Sequence, residues 1–66
     1  MEVIVNGQKR TAPAGMTIED LLRELGFTGR PVAVEVNEQV VPKREHRDHA
    51  LNDRDRIELV TLVGGG

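Results

Sequence analysis

The sequence contains no cysteine and a single aromatic residue, Phe27. Without cysteine, disulfide bonds, thiolate metal sites and a thiol nucleophile are excluded. One aromatic ring gives no platform on which nucleic-acid bases could stack. The sequence also has no apolar run of membrane-spanning length and no basic, apolar start typical of a signal peptide. We therefore expect a cytoplasmic protein that binds neither nucleic acid nor membrane.

The charge balance and the length limit the function further. Nine Lys and Arg face eleven Asp and Glu, for a net charge of −2, so the basic excess typical of nucleic-acid binding is absent. The 66 residues suffice for one domain. A domain of this size buries roughly 60% of its unfolded surface, which leaves no room for a deep substrate cavity. Any site must be a surface feature, a chain end or a site completed by a partner.

The first part of the chain predicts a β-hairpin followed by a helix. Residues 2–6 are mostly β-branched and end at Asn6-Gly7, a hairpin signal because both residues tolerate positive φ. The polar second strand, residues 8–12, is typical of a sheet edge. Thr17 can cap the helix that follows, with Asp20 completing a capping box and Gly26 ending the helix. The helix carries one apolar stripe, formed by Ile18, Leu21, Leu22 and Leu25.

The second part predicts two short strands, a polar loop and a final strand. Strand 32–36 turns through Asn37-Glu38 into a strand at 39–41, which Pro42 ends. We interpret residues 43–55 as a loop with one helical turn around 45–49 and with Leu51 in the core. The last strand spans about 56–62.

This order of elements predicts an α+β fold. A mixed sheet of four or five strands with one helix packed across it buries the apolar face of each. The first and last strands are the most apolar, so we place them together in the centre, parallel to each other. This is the ubiquitin-like β-grasp arrangement. We expect a domain over residues 1–62 and a flexible glycine tail over residues 63–66.

The tail is the first candidate site. Gly64, Gly65 and Gly66 pack nothing and lose much entropy on ordering, so they do not help the fold. A backbone without side chains can pass through a narrow channel, and three extended residues reach roughly 10 Å. A partner enzyme could then act on the carboxylate of Gly66. The alternative is a frayed end without a function.

The last strand supplies a candidate docking patch. If Ile57 and Leu59 face the core, Val60 and Leu62 face outward beside the tail, and Ile4 can join them. Two alternatives stay open: both faces of the strand are covered, or a bulge near Thr61 reverses the alternation.

The remaining polar residues offer no chemistry of their own. His46 and His49 would share a face of a helical turn, but no cysteine or third ligand accompanies them, so we predict no metal site. No catalytic triad, P-loop or dinucleotide fingerprint is present. We expect no catalytic residue and no bound cofactor.

Three short motifs, spread over the whole chain, are the most specific for a known family: Asn6-Gly7, Val41-Pro42 and the closing glycines. With the segments around them, they resemble the ThiS family of sulfur carriers from thiamine biosynthesis. One departure is Asp53-Arg54-Asp55, where the family usually has Asp-Gly-Asp. We expect this turn to reach its geometry with Asn52 in the left-handed region.

The resemblance implies a protein cosubstrate rather than an enzyme. An E1-like adenylyltransferase (ThiF type) would use ATP to activate the Gly66 carboxylate, and a sulfur donor protein would convert it to a thiocarboxylate. Thiazole synthase (ThiG type) would then take the sulfur for the thiazole moiety of thiamine. The carrier would be a monomer when free.

Other functions remain open at this point. A related carrier, such as the small subunit of molybdopterin synthase or a carrier for tRNA thiolation or for cysteine or homocysteine synthesis, would share the fold and tail. A ubiquitin-like modifier would join Gly66 to lysines, whereas a plain binding module would not need the tail. An enzyme in its own right would need a residue set that the sequence lacks.

Overall fold

The computed structural model describes residues 1–61. These residues form a five-stranded mixed sheet with one α-helix and the connections between them. The strands lie in the order β2-β1-β5-β3-β4. Strands β1 and β5 are parallel neighbours, and the other neighbouring pairs are antiparallel. This confirms the predicted β-grasp, with the first and last strands adjacent. The elements are β1 (Glu2–Val5), β2 (Gln8–Thr11), α1 (Ile18–Glu24), β3 (Val32–Val36), β4 (Gln39–Val40) and β5 (Arg56–Thr61).

Two tight turns of the same kind close the two hairpins. Asn6 and Gly7 join β1 to β2 with φ of +48° and +82°, and Asn37 and Glu38 join β3 to β4 with φ of +51° and +69°. Positive φ at both central residues is the mark of a turn whose twist matches that of the flanking strands. Both hairpins were predicted, and β2 lies at the sheet edge as expected.

Helix α1 begins and ends as the sequence predicts. The Thr17 hydroxyl accepts a hydrogen bond from the Asp20 backbone N–H, and the Asp20 carboxylate accepts one from the Thr17 N–H, each at 3.1 Å. These two bonds form the capping box. At the other end Gly26 has φ +83°, and the Phe27 N–H donates to the carbonyl oxygen of Leu22 at 2.8 Å. This is the Schellman geometry that a glycine permits.

The core lies between the inner face of the sheet and α1. The fully buried side chains of greatest volume are Ile18 and Leu21 from the helix and Val3, Val34 and Ile57 from the strands. The apolar stripe of the helix therefore packs as predicted, and Leu25 contacts the core from a half-buried position. Leu51 is also buried, which confirms its predicted place.

The polar connection from β4 to β5 differs from expectation at its start. The helical turn is a 3₁₀ turn at Lys43–Glu45, two residues earlier than the predicted 45–49. Pro42 precedes it with φ −64° and lacks an N–H, so a turn can begin directly after it without losing a hydrogen bond. The Ile18 N–H then donates to the carbonyl oxygen of His49 at 3.0 Å, which joins this connection to the start of α1.

The turn before β5 corrects a second expectation. Arg54, not Asn52, takes the left-handed conformation, with φ +70°. The reason is a set of bonds to the first strand and within the turn. The Arg54 N–H donates to the carbonyl oxygen of Glu2, and the Glu2 N–H donates to Asp53 Oδ1 at 2.8 Å. The Asn52 N–H donates to Asp55 Oδ2 at 2.8 Å, which closes the turn.

Candidate functional site

The candidate docking patch lies on the outer face of the sheet, which is the face away from α1. Along β5, Ile57 and Leu59 are buried, whereas Val60 is 54% exposed. The register with β3 continues without a bulge, because Val60 pairs with Ala33 and Thr61 with Val32. The predicted alternation is therefore confirmed through Val60, and the alternative of a strand covered on both faces is wrong at this position. The paired Thr61 shows no bulge, and Leu62 lies outside the described residues.

Ile4 lies on the same face but not beside Val60. The parallel register sets Ile4 opposite Arg56, four residues before Val60 along β5. At about 3.3 Å per residue, this separates Ile4 and Val60 by roughly 13 Å along the strand. Ile4 is half-buried, and Glu58 lies on the outer face between the two positions. The structure thus places both residues on one face without joining them in one apolar contact.

The direct apolar neighbour of Val60 is Ala33, which sequence reasoning did not single out. Ala33 alternates with the buried Val34 along β3 and so faces outward. Val40 is a further exposed apolar residue on this face, 71% exposed, at the opposite edge of the sheet from β2. The two-residue turn at Asn37-Glu38 sets Val40 opposite Glu35, so period-2 counting from that turn could have found it.

The charges of the outer face are unevenly placed. Glu35 and Glu58 lie directly opposite each other across β3 and β5. Among the described residues, no ion pair within 4.0 Å involves either carboxylate. Like charges in this position destabilise a sheet. The positive charges of this face, Lys9 and Arg56, lie on the other side of it, around Ile4.

The two turn asparagines hold β5 near its two ends. Asn6 Oδ1 accepts from the Leu59 N–H at 2.8 Å, and Asn6 Nδ2 donates to the Leu59 carbonyl oxygen at 3.3 Å. Asn37 Oδ1 accepts from the Arg56 N–H, and Asn37 Nδ2 donates to Asp55 Oδ1, both at 3.0 Å. The hairpin signal located both residues, but it gave no sign of these side-chain bonds, which join positions far apart in sequence.

The other predicted site residues lie outside the described residues. These are Leu62 of the docking patch and Gly64, Gly65 and Gly66 of the tail. The last described residue, Thr61, is the end of β5, five residues before Gly66.

The two histidines are not brought together as a metal site. His46 is buried, and its Nε2 lies 3.0 Å from the carbonyl oxygen of Val41. Over residues 1–61 there is no group of three or more His, Asp or Glu side chains that could hold a metal ion. Within the same range, no helix is both long enough and apolar enough to span a membrane.

Curated relatives match the chain over its whole length. The chain is 47% identical over 66 residues to a thiazole synthase of Paramagnetospirillum magneticum, but it covers 20% of that protein. It is 32% identical to the sulfur carrier protein ThiS of Escherichia coli K12, with complete coverage of both chains. The chain thus spans about a fifth of the thiazole synthase and the full length of the small carrier.

A solved structure matches the fold just described. The crystal structure of the thiamine biosynthesis protein ThiS from Geobacter metallireducens superposes with a TM-score of 0.84 and 28% sequence identity, over 100% of both chains. The model of the ThiS family matches residues 3–66, which include the predicted glycine tail. The chain therefore belongs to the ThiS family.

Proposed function

We propose that this chain is a sulfur carrier that delivers sulfur for the thiazole moiety of thiamine. The observation that carries the proposal is the family match, which runs from the first strand to the final glycine. The Escherichia coli relative of the same extent is a sulfur carrier protein, and the Geobacter structure is of a thiamine biosynthesis protein. The domain, residues 1–62, presents the reactive end, and residues 63–66 form the tail that reaches into partner enzymes.

The reacting group in this proposal is the carboxylate of Gly66. A carboxylate is a poor electrophile, so one of its oxygens first attacks the α-phosphorus of ATP and pyrophosphate leaves. The resulting acyl-adenylate has a good leaving group, and hydrosulfide delivered by the donor protein attacks the carbonyl carbon and displaces AMP. Loss of the sulfur-bound proton leaves a C-terminal thiocarboxylate. ATP binds to the partner adenylyltransferase, and this chain acts as a protein cosubstrate, in keeping with its lack of cysteine.

The proposal assigns recognition to the folded domain. Binding energy from a surface remote from the reaction can hold the reacting atoms in a productive geometry. The exposed Val60, together with Leu62 and the more distant Ile4, supplies the apolar part of that surface. The partners are an E1-like adenylyltransferase and a thiazole synthase, and the reaction belongs in the cytoplasm, where ATP is available.

The match to thiazole synthases supports the second partner. In the relative from Paramagnetospirillum magneticum, the segment similar to this chain occupies 20% of a protein named for thiazole synthesis. A second such relative, from Magnetococcus marinus, shows the same coverage at 42% identity. A carrier and the enzyme that uses its sulfur are reasonable parts of one chain, since fusion raises their effective concentration.

Removal of the last two residues tests the proposal. We expect a chain lacking Gly65 and Gly66 to fold as the full chain does, because glycine has no side chain to add to a hydrophobic core. With the adenylyltransferase and ATP, the full chain should support release of pyrophosphate and the shortened chain should not. Equal pyrophosphate release by the two chains would contradict the proposal, as would the absence of release with the full chain.

A further inference from the structure

On the β1 side of β5, the backbone N–H and carbonyl group of Leu59 are hydrogen-bonded to the Asn6 side chain rather than to the β1 backbone. We propose that Asn6 is a positioning residue for the transfer reaction, because its amide fixes the end of β5 from which the reactive tail departs. This inference rests on the proposed function, since it concerns how the Gly66 carboxylate is presented to a partner enzyme.

The backbone hydrogen bonds between β1 and β5 show which bond the Asn6 side chain substitutes for. The Ile4 N–H donates to the carbonyl oxygen of Asp55, and the Asn6 N–H donates to that of Ile57, each at 2.9 Å. The carbonyl groups that accept these bonds belong to Asp55 and Ile57, two residues apart. Leu59, two residues further along β5, also directs its backbone N–H and carbonyl group toward β1. The chain of β1, however, turns away at Asn6-Gly7 into the hairpin.

The Asn6 side chain supplies the missing ladder step. A carboxamide carries one acceptor and one donor group, as a peptide unit does. Its Oδ1 accepts from the Leu59 N–H and its Nδ2 donates to the Leu59 carbonyl oxygen. The parallel ladder is thereby extended beyond the last residue of β1 by one residue of β5.

This extension holds the C-terminal part of β5, from which the chain continues to the proposed reacting group at Gly66. Leu59 directly precedes Val60 of the docking patch and lies seven residues before Gly66. Strand ends fray where their backbone bonds are lost. Without the amide, the end of β5 is held only from the β3 side, where Val60 pairs with Ala33. The tail would then leave the domain from a broader range of positions, and fewer docked complexes would bring the carboxylate to the reacting phosphate.

Asn37 provides a matched control within the same molecule. It occupies the same kind of turn, with φ +51° against +48° for Asn6, and its side chain also makes two hydrogen bonds, to Arg56 and Asp55. These bonds lie at the start of β5 and just before it. Alanine at either position loses two hydrogen bonds and pays a similar backbone strain, but only the Asn6 variant releases the tail end of the strand.

The test compares Asn6→Ala with Asn37→Ala in pyrophosphate release by the adenylyltransferase. A merely structural loss lowers the folded fraction, which raises the apparent KM and leaves kcat unchanged. We expect Asn6→Ala to lower kcat about tenfold, the factor that loss of two modest hydrogen bonds produces. The kcat of Asn37→Ala should equal that of the wild-type chain.

A conservative variant and a local measurement complete the test. Asn6→Asp keeps an acceptor for the Leu59 N–H and tolerates positive φ, so it should recover part of the lost kcat. Amide hydrogen exchange at Leu59 should be faster in Asn6→Ala than in Asn37→Ala.

Three outcomes would overturn this role for Asn6: equal kcat losses in the two alanine variants, a change in apparent KM alone, or no recovery by aspartate. In each of these the wild-type chain is still adenylated, so the proposed function stands. A wild-type chain that is not adenylated overturns the proposed function itself and this role with it.

Discussion

Arg54 takes a left-handed backbone conformation in the turn before β5, with φ +70°. For a residue with a side chain this conformation costs about 1–2 kcal/mol. The turn offsets that cost, because the Arg54 N–H and the Asp53 carboxylate both bond to the backbone of Glu2. The Arg54 side chain is 87% exposed, and its 3.8 Å contact with Asp53 adds little in water. At this position the backbone N–H of Arg54 contributes to stability, whereas its guanidinium group contributes little.

We therefore expect Arg54→Gly to stabilise the domain by up to about 1 kcal/mol, because glycine removes the strain at a smaller cost in unfolded-state entropy. Urea unfolding measures the difference. Arg44→Gly is the control, since Arg44 lies in the 3₁₀ turn and glycine there should destabilise by about 0.5–1 kcal/mol. A free energy of unfolding that falls in both variants would refute the explanation.

The contribution of the helix cap to stability depends on pH through the carboxyl group of Asp20. Hydrogen bonding by the Thr17 backbone N–H, then by the Thr17 hydroxyl, and the charge of Arg23 hold the pKa of Asp20 below its ordinary value. A lowered pKa in the folded state means that the carboxylate stabilises the fold at neutral pH. That contribution is lost as the pH falls below about 4.

Asp20→Asn should therefore lower the melting temperature at pH 7, and the gap to the wild-type chain should narrow as the pH falls toward 3. Thermal unfolding followed by circular dichroism over this range measures both curves. All other carboxylates are common to the two proteins, so their titration cancels in the difference. A gap that stays constant or widens on acidification would exclude a role for the Asp20 charge.

At the scale of elements, β5 joins the core to the proposed docking surface. Its inward residues Ile57 and Leu59 anchor the sheet, and its outward Val60 remains 54% exposed. Charge at Val60 should oppose burial of this position by a partner without disturbing the core. Val40 has the same side chain on the same face but lies in the edge strand β4, with β3 between β4 and β5.

We expect Val60→Asp to raise the KM of the chain as a substrate of the adenylyltransferase about tenfold or more, since burying a valine is worth about 1.5–3 kcal/mol. Val40→Asp introduces the same charge and should change KM far less. Steady-state pyrophosphate release measures both values. Equal KM values for the wild-type chain and Val60→Asp would remove Val60 from the docking surface.

The elements themselves were largely predictable from the sequence. Asn6-Gly7, the apolar stripe of α1 and the alternation along β5 each encode local structure in neighbouring residues. Three features were not predictable in this way: the left-handed Arg54, the bonds from Asn6 to Leu59, and the separation of Ile4 from Val60. Each depends on how β1 and β5 align, and these strands lie about fifty residues apart in sequence.

At the scale of the whole molecule, the fold supplies a scaffold and the proposed chemistry lies at one end of the chain. The described domain has a buried core and an outer sheet face that carries apolar, acidic and basic residues. The polar groups buried in the domain, such as Asp55, have hydrogen-bond partners. The proposed reacting group, the Gly66 carboxylate, is inferred from the sequence, in which a glycine tail follows an apolar strand.

The measurement that tests the central claim most directly is intact-protein mass spectrometry with fragmentation. The chain is incubated with ATP, the adenylyltransferase and a sulfur donor, and a sample without ATP serves as the control. The account predicts a mass gain equal to the exchange of one oxygen for sulfur, located in the fragment that ends at Gly66. An unchanged mass in a system that thiolates another ThiS protein, or sulfur located anywhere but Gly66, would contradict it.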